Sequence, residues 1–104
     1  MSLKSIQDDV EDWVTQYKVG YFEPFEALAC MIEETGEVSR EINHLCGPKK
    51  KKSTEETKEL ADELADVIFT VCCIANPLGI NLNDAWKRTM DKLRKRDDKR
   101  FEKK

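Results

Sequence analysis

Two short acidic clusters are the residues of this sequence best suited to chemistry. The first contains Glu34 and Glu37 and the second contains Glu63 and Asp66, with a spacing of three positions in each. On an α-helix, residues three positions apart share one face and are separated by only about 60° of rotation. Four carboxylates facing each other across two packed helices would repel strongly unless a divalent cation neutralised them. Oxygen ligands of this kind favour Mg²⁺, with Mn²⁺ as a substitute.

A plainer interpretation of the acidic clusters is a solvated helix surface, since 38% of the residues are charged. For either cluster alone, that interpretation is the better one. Two clusters of matched spacing, each beside an apolar helical stripe, instead favour a metal site at the edge of the core. The stripes consist of Met31, Thr35, Val38, Ile42 and Leu45, and of Leu60, Leu64, Val67, Val71 and Ile74.

The spacing of apolar residues predicts an all-α chain of four helices with no β-strand. Its two long helices, the second and third, are expected to pack antiparallel and to form an oligomeric helical bundle with those of a partner. The predicted helices run from a cap at Ser5 to about Lys18; from Pro24 to about Leu45, before Gly47 and Pro48; from a capping box of Ser53 and Glu56 to about Ala75; and from about Leu82 to Asp98, after a cap at Asn81 or Asn83.

Length and charge exclude several classes of protein. A chain of 104 residues is expected to form one domain, residues 1–104, with a core small enough for oligomerisation to be useful. A net charge of -3 gives no electrostatic reason to bind nucleic acid. We expect no membrane span, because no apolar run approaches about 18 residues. Residues 1–10 lack the apolar region of a signal peptide, so a cytoplasmic protein is expected.

The cysteines and the histidine are expected to play no catalytic part. Cys30, Cys46, Cys72 and Cys73 lack C-x-x-C spacing, which favours free thiols that pack as small hydrophobic groups. His44 has no second histidine to join it, and we expect it to be an exposed helix residue. The segment Lys49–Lys52 is more readily a solvated loop than a phosphate-binding one. The aromatic residues Trp13, Phe25, Phe69 and Trp86 are predicted to lie mostly in the core.

The run Glu33-Glu34-Thr35-Gly36-Glu37, followed by Glu63-Leu64-Ala65-Asp66, resembles a known signature. It is similar to the E-E-x-x-E and E-x-x-D motifs of the MazG-like nucleoside triphosphate pyrophosphohydrolases, an all-α family related to the dimeric dUTPases. The resemblance covers roughly residues 26–100. In the fourth helix, Lys92 and Arg96 stand where family members have a lysine and then an arginine or asparagine one turn later. Several relatives carry an asparagine two residues before this lysine, where this chain has Met90.

The resemblance implies a metal-dependent active site. Glu34, Glu37, Glu63 and Asp66 would bind Mg²⁺, which holds the triphosphate and positions a water for attack at the α-phosphorus. The products would be a nucleoside monophosphate and pyrophosphate. Catalytic roles are expected for Glu37 and for Glu33, which lies about 100° round the helix from Glu34. Glu33 would join a second metal or accept a proton from the water, or would instead make a structural ion pair.

The resemblance also implies where a substrate and a partner would bind. Lys92 and Arg96 share a helix face and would contact the β- and γ-phosphates of a triphosphate, provided that the fourth helix packs beside the acidic clusters. Trp13, with Tyr21 and Phe22, is the best candidate for stacking on a nucleobase. A homodimer or homotetramer is expected. The predicted function is Mg²⁺-dependent hydrolysis of nucleoside or deoxynucleoside triphosphates, to clear unwanted nucleotides. The alternative is a non-catalytic helical interaction module that retains the same fold.

Overall fold

The computed structural model describes residues 1–46 and 56–104, and the regular structure in both ranges is α-helical, with no strand. The helices are α1 (Leu3–Val14), α2 (Pro24–Cys46), α3 (Glu56–Ala75) and α4 (Leu82–Asp97). The prediction of a four-helix, all-α chain is therefore confirmed. Within these ranges, none of the helices is both long enough and apolar enough to cross a bilayer.

Helix α1 begins three residues earlier than predicted, because Ser2 rather than Ser5 is its N-cap. The Ser2 hydroxyl accepts a hydrogen bond from the Ser5 backbone N–H at 3.1 Å, and the Ser5 hydroxyl accepts one from the Ser2 N–H at 2.8 Å. This reciprocal arrangement satisfies two N–H groups that the first helical turn leaves without partners. Ser5 therefore contributes to the cap from the third position of the helix.

The predicted end of the first helix at Lys18 is also wrong, because α1 ends at Val14. After it the chain turns twice: the Tyr17 N–H donates to the Val14 carbonyl at 3.2 Å, and the Gly20 N–H donates to the Tyr17 carbonyl at 3.1 Å. Gly20 has a φ of 58°, in the left-handed region that a glycine adopts without strain. These turns reverse the chain so that α2 can begin at Pro24.

The cap of α4 is Asn81, one of the two predicted candidates. Its side-chain oxygen accepts hydrogen bonds from the backbone N–H groups of Asn83 at 2.9 Å and Asp84 at 3.4 Å. The Asn83 side chain accepts instead from the Lys4 N–H at 3.1 Å, which ties the start of α4 to α1. The predicted stop at Gly47 and Pro48, the Lys49–Lys52 loop and the Ser53–Glu56 capping box lie outside the described residues and side chains.

Helices α2 and α3 form the principal packed pair, and α1 packs against both α3 and α4. Ala27 and Cys30, near the start of α2, line one cavity together with Thr70 and Cys73, near the end of α3. Glu34, further along α2, lies instead beside the earlier α3 residue Glu63. The two helices therefore run antiparallel, as predicted.

The core is smaller than the apolar pattern predicts. It centres on Val10, Val14 and Cys72, where α1 meets the second half of α3. All four aromatic residues predicted to be mostly core are exposed, as are Ile42 and Leu64 of the predicted stripes. These residues lie on apolar helix faces, as the spacing predicts, but the described part of the chain does not cover those faces. The exposed fractions are 53% for Trp13, 86% for Phe25, 37% for Phe69, 58% for Trp86 and 47% for both Ile42 and Leu64.

Candidate active site

Three carboxylates meet between α2 and α3. Glu34 comes from α2, and Glu63 and Asp66 lie one turn apart on α3. Each offers a carboxylate oxygen, and these oxygens all lie within 4.8 Å of one another. Glu34 and Glu63 are partly buried, whereas Asp66 is exposed. Antiparallel packing thus brings together three of the four residues predicted to bind a metal.

Glu37, the fourth predicted ligand, lies beside this group but is turned toward another partner. Its carboxylate forms an ion pair with the guanidinium of Arg40, one helical turn further along α2. The Glu37 side chain is 35% exposed. Its negative charge nevertheless contributes to the raised pKa of Glu63, so Glu37 borders the same site.

The pKa of Glu63 is raised above its usual value. Burial is the largest cause, followed by the negative charges of Asp66, Glu37 and Glu34, while the Arg40 guanidinium opposes the shift. Crowded carboxylates of this kind are stabilised by a cation. An all-oxygen donor set at this separation fits Mg²⁺ or Mn²⁺ better than a metal that prefers sulfur or imidazole.

Glu33 does not join the three-carboxylate group. It is exposed on α2, about 100° round the helix from Glu34. It is not among the leading causes of the raised pKa of Glu63 within the described part of the chain. Its role as a second metal ligand or proton acceptor stays a prediction.

An apolar cavity of about 360 Å³ begins one helical turn from the carboxylates. Phe69 follows Asp66 by one turn on α3, and Cys30 precedes Glu34 by one turn on α2. The indole of Trp13 packs edge-on against Tyr17, at 5.3 Å between ring centroids, and against Phe69 at 5.8 Å. All three residues predicted to stack on a nucleobase, Trp13, Tyr21 and Phe22, line this cavity.

Phe69, Tyr17 and Cys30 also line the cavity, although the sequence did not single them out for this site. For Phe69 and Cys30 a signal was present, since each is one helical turn from a predicted ligand. Tyr17 offered no such signal, because it lies in the turns after α1.

Tyr21 is held at the edge of the cavity by two hydrogen bonds. Its hydroxyl donates to the Glu11 carboxylate at 2.6 Å and accepts from the side-chain amide of Asn76 at 2.9 Å. Burial and the bond to Glu11 raise the pKa of Tyr21 to about 12. The phenol therefore stays neutral at physiological pH.

Lys92 and Arg96 both lie on α4. Helix α4 packs against α1, and Lys92 is exposed. The Arg96 guanidinium donates to Asp97, from Nε at 3.0 Å and from Nη2 at 2.9 Å. Helix α4 also lines a cavity together with α3, where Trp86 and Thr89 lie beside Ile68. The expected phosphate contacts of Lys92 and Arg96 stay a prediction.

His44 is not the exposed residue that was expected. Among the residues that the structure describes, its Nδ1 atom is buried without a hydrogen-bond partner and lies 3.8 Å from a carboxylate oxygen of Glu41. Glu41 is itself only 4% exposed. Glu41 and His44 are one turn apart on α2, and Glu37 lies one turn before Glu41. The three residues therefore share one helix face.

The cysteines are free thiols, as predicted. Cys72 is buried in the core and Cys73 is partly buried beside it. Burial is the main cause that raises the pKa of the Cys73 thiol to about 11. A neutral thiol of this kind is a poor metal ligand and a poor nucleophile.

The fold and the site together define an all-α protein in which two antiparallel helices carry a carboxylate cluster next to an apolar cavity. Residues 22–101 match the family model of the MazG nucleotide pyrophosphohydrolase domain. This chain belongs to that family.

Two Bacillus subtilis proteins are similar over most of their length. YpjD, whose function is uncharacterised, is 43% identical over 103 residues, which is 99% of this chain and 93% of YpjD. YvdC, also uncharacterised, is 34% identical over 98 residues, covering 85% of this chain and 92% of YvdC.

Two solved structures share the fold. The crystal structure of Bacillus subtilis YpjD, described as a candidate pyrophosphatase, superposes with a TM-score of 0.81 at 43% identity and covers 88% of this chain and 94% of that one. A Bacillus-conserved MazG protein, described as a nucleotide pyrophosphohydrolase, superposes with a TM-score of 0.78 at 38% identity, covering 89% and 90%.

Proposed function

We propose that this protein hydrolyses nucleoside or deoxynucleoside triphosphates to the monophosphate and pyrophosphate in a Mg²⁺-dependent reaction. The observation that carries the proposal is the meeting of Glu34, Glu63 and Asp66 within 4.8 Å of one another beside an apolar cavity. Membership of the MazG nucleotide pyrophosphohydrolase domain family supports it. In a cell, such an activity would clear unwanted nucleotides from the pool.

The residues proposed to hold Mg²⁺, or Mn²⁺ in its place, are Glu34, Glu37, Glu63 and Asp66. A bound divalent cation would supply charge neutralisation for the triphosphate and a more acidic water. The four side chains stand on regular helix rather than on loops, which keeps their backbone positions fixed relative to one another. Glu63 and Asp66 set the α3 side of the site, and Glu34 with Glu37 sets the α2 side.

Glu33 is proposed as the proton acceptor for the attacking water. It is the remaining carboxylate of the first acidic cluster once Glu34 and Glu37 are assigned to the metal. Its exposed position leaves it open to water, and a carboxylate within hydrogen-bond reach of a nucleophilic water can take its proton. Replacing Glu33 by Gln should lower kcat without weakening Mn²⁺ binding.

The apolar cavity is proposed to receive the nucleobase. Its volume of about 360 Å³ falls within the range of about 300–1,000 Å³ usual for small-molecule sites. The Trp13 indole offers a flat surface on which a base can stack. With the base in the cavity, the phosphates would point toward the carboxylates one helical turn away.

Homodimer or homotetramer formation is proposed as the way in which the uncovered apolar face is buried. Along α2, Phe25 is 86% exposed, Leu28 is 45% exposed and Ile32 is 64% exposed. A contiguous apolar stripe of this kind is typical of an interface rather than of a free surface. In the assembled bundle, Lys92 and Arg96 would contact the outer phosphates of the substrate.

The proposed compartment is the cytoplasm. All four cysteines are free, which suits a reducing environment. Nucleoside triphosphate, rather than nucleic acid or a membrane, is the proposed binding partner besides a second copy of the chain.

The test is pyrophosphate release from a panel of ribo- and deoxyribonucleoside triphosphates with Mg²⁺ present. We expect at least one substrate to be hydrolysed, and we expect the matched variant Glu63→Gln to be inactive on it. Asp9→Asn, an equal charge change on the exposed surface of α1, should keep the parent activity. No release across the panel would instead favour the non-catalytic helical interaction module.

A further inference from the structure

Arg40 is a cation built into the border of the carboxylate site. It lies on α2, one turn beyond Glu37 and outside both acidic clusters. Its guanidinium is ion-paired with the Glu37 carboxylate, and its Nε atom lies 3.8 Å from a carboxylate oxygen of Glu41. The side chain is 58% exposed, so the guanidinium is accessible from solvent.

The ion pair places a positive charge next to the carboxylate group. Glu37, the partner of Arg40, shares a helix face with Glu34. The Arg40 guanidinium therefore offsets part of the repulsion among these side chains.

The ion pair also explains why Glu37 stands apart from the other three carboxylates. Glu37 shares a helix face with Glu34, yet its carboxylate is turned toward Arg40 and lies outside the group that meets within 4.8 Å. A small divalent cation competes strongly for carboxylate oxygens, because its charge density far exceeds that of a delocalised guanidinium. Recruitment of Glu37 to a metal would therefore release Arg40.

A released Arg40 would be well placed for a phosphate group. Its Nε atom remains near Glu41, which limits how far the side chain can swing away. The planar fork of N–H donors matches the oxygens of a phosphate, and such charge-assisted bonds are stronger than neutral ones. The exposed side of Arg40 is open to an approaching triphosphate.

We propose that Arg40 is the counter-ion of Glu37 in the metal-free protein and becomes a phosphate-binding residue once Glu37 joins the metal site. The inference rests on the proposed function and adds to it a substrate-binding residue outside the acidic signature. Metal binding and triphosphate binding would be coupled, because the Arg40 guanidinium that leaves Glu37 becomes available to the triphosphate. A single side chain then links metal binding to substrate binding.

The two roles predict effects of opposite sign. Without the guanidinium, a metal no longer has to displace a competing cation, so metal binding to the nucleotide-free protein becomes tighter. The triphosphate loses a charge-assisted contact, so its binding to the metal-loaded protein becomes weaker. If Arg40 only paired with Glu37 and contacted no phosphate, its removal would leave the triphosphate affinity at the parent value.

The experiment uses Arg40→Gln and measures two affinities by calorimetry. Mn²⁺ is titrated into the nucleotide-free protein, where we expect binding about threefold tighter than in the parent, a change of the size expected for a solvent-exposed ion pair. A non-hydrolysable α,β-methylene triphosphate is then titrated at saturating Mn²⁺, where binding should be about tenfold weaker, as for one lost charge-assisted hydrogen bond. The monophosphate should bind as it does to the parent.

Two further variants serve as controls. Arg40→Lys keeps the charge but loses the planar fork, and it should give intermediate values for both ligands. Arg94→Gln makes the same charge change on the exposed surface of α4 and should leave both affinities at the parent values. Thermal unfolding of each variant checks that the fold is retained, and Arg40→Lys carries the test if Arg40→Gln does not fold.

Each failure has a distinct signature. If the parent releases pyrophosphate but Arg40→Gln shows no change in either affinity, or a change of the same sign in both, the inference is wrong and the proposed function stands. If the parent protein neither binds Mn²⁺ nor releases pyrophosphate, the proposed function fails and the inference fails with it.

Discussion

The side-chain amides of Gln7 and Asn76 are hydrogen-bonded to each other at 2.8 Å across 69 positions of the chain. The Asn76 amide also donates to the backbone carbonyl of Gln7 at 3.0 Å. Gln7, only 4% exposed, further donates to the Ile80 carbonyl at 2.8 Å and accepts from the Leu82 N–H at 2.9 Å. One buried amide thus joins α1, the end of α3 and the start of α4.

Replacing Gln7 by Ala should destabilise the protein by about 1–3 kcal/mol, because partly buried backbone groups at Ile80 and Leu82 lose their partner. The midpoint of urea unfolding reports the change. Gln16→Ala removes an exposed amide that donates to the Trp13 carbonyl at 3.2 Å and should change stability by less than about 0.5 kcal/mol. Equal stabilities for the two variants would contradict the structural role of Gln7.

Mg²⁺ or Mn²⁺ should raise the melting temperature, because an ion that binds only the folded carboxylate site stabilises it by mass action. Glu63→Gln should abolish that rise. In the absence of metal the same variant should be at least as stable as the parent at neutral pH, since one of several repelling charges is gone. Differential scanning fluorimetry with and without metal measures both effects. A full metal response in Glu63→Gln would exclude Glu63 as a ligand.

Trp13 should report nucleotide binding directly. The chain has two tryptophans, so Trp86→Phe leaves Trp13 as the sole indole emitter. We expect a nucleoside triphosphate to quench its fluorescence. Trp13→Ala should weaken nucleotide binding about tenfold, within the range measured for base stacking on an aromatic side chain, without altering Mn²⁺ affinity. Unquenched emission at saturating nucleotide would place the base elsewhere.

Lys92→Ala should lower kcat/KM for a triphosphate about tenfold, equivalent to roughly 1.4 kcal/mol of transition-state stabilisation. The melting temperature should barely move, because Lys92 is exposed. Inhibition by the monophosphate product should change much less, since it lacks the outer phosphates. Lys87→Ala, on a different face of the same helix, is the matched control. Parent kinetics in Lys92→Ala would remove this lysine from the site.

Alkaline pH should destabilise the protein through Tyr21. An unfolded tyrosine ionises near pH 10, whereas in the folded protein the pKa of Tyr21 is raised to about 12, first by burial and then by the bond to Glu11. Between these values the unfolded chain loses a proton that the folded chain keeps, so stability falls as pH rises. Urea midpoints at pH 8, 10 and 11 measure the fall.

The variant Tyr21→Phe should flatten this pH profile, although it will be less stable at pH 8 because the bonds to Glu11 and Asn76 are lost. Tyr17→Phe should keep the parent's decline. A decline in Tyr21→Phe as steep as in the parent would assign the effect to another group.

The local features of the fold were predictable from sequence because they depend on neighbours in the chain. Pro24 and Ala75 were predicted as helix limits and are the observed ones, since proline position and apolar period act within a few residues. The spacing of Glu63 and Asp66 likewise fixed a shared face. Ser5 was predicted as the cap in place of Ser2, because a serine caps a helix equally well at either position and residue type alone does not decide between them.

The features that escaped prediction depend on which surfaces meet. Apolar spacing showed that Phe25 and Trp86 belong to apolar faces, but spacing carries no information on whether the same chain covers them. The position of Lys92 relative to the carboxylates depends on the packing of α4 against α1, a contact between distant segments. Whether the Glu37 carboxylate pairs with Arg40 or joins the other carboxylates depends on side-chain rotamers, which a sequence motif does not encode.

Antiparallel packing of α2 and α3 sets a fixed distance between the carboxylates and the apolar cavity. Along α2 the cavity residue Cys30 precedes Glu34, and along α3 the cavity residue Phe69 follows Asp66, so both helices place the apolar end on the same side. The separation between the two ends is one turn, about 5 Å by helical pitch. One residue deleted between Asp66 and Phe69 would leave them two positions apart, about 160° from each other round the helix. Such a deletion is therefore excluded from this turn, even where the side chains themselves are free to vary.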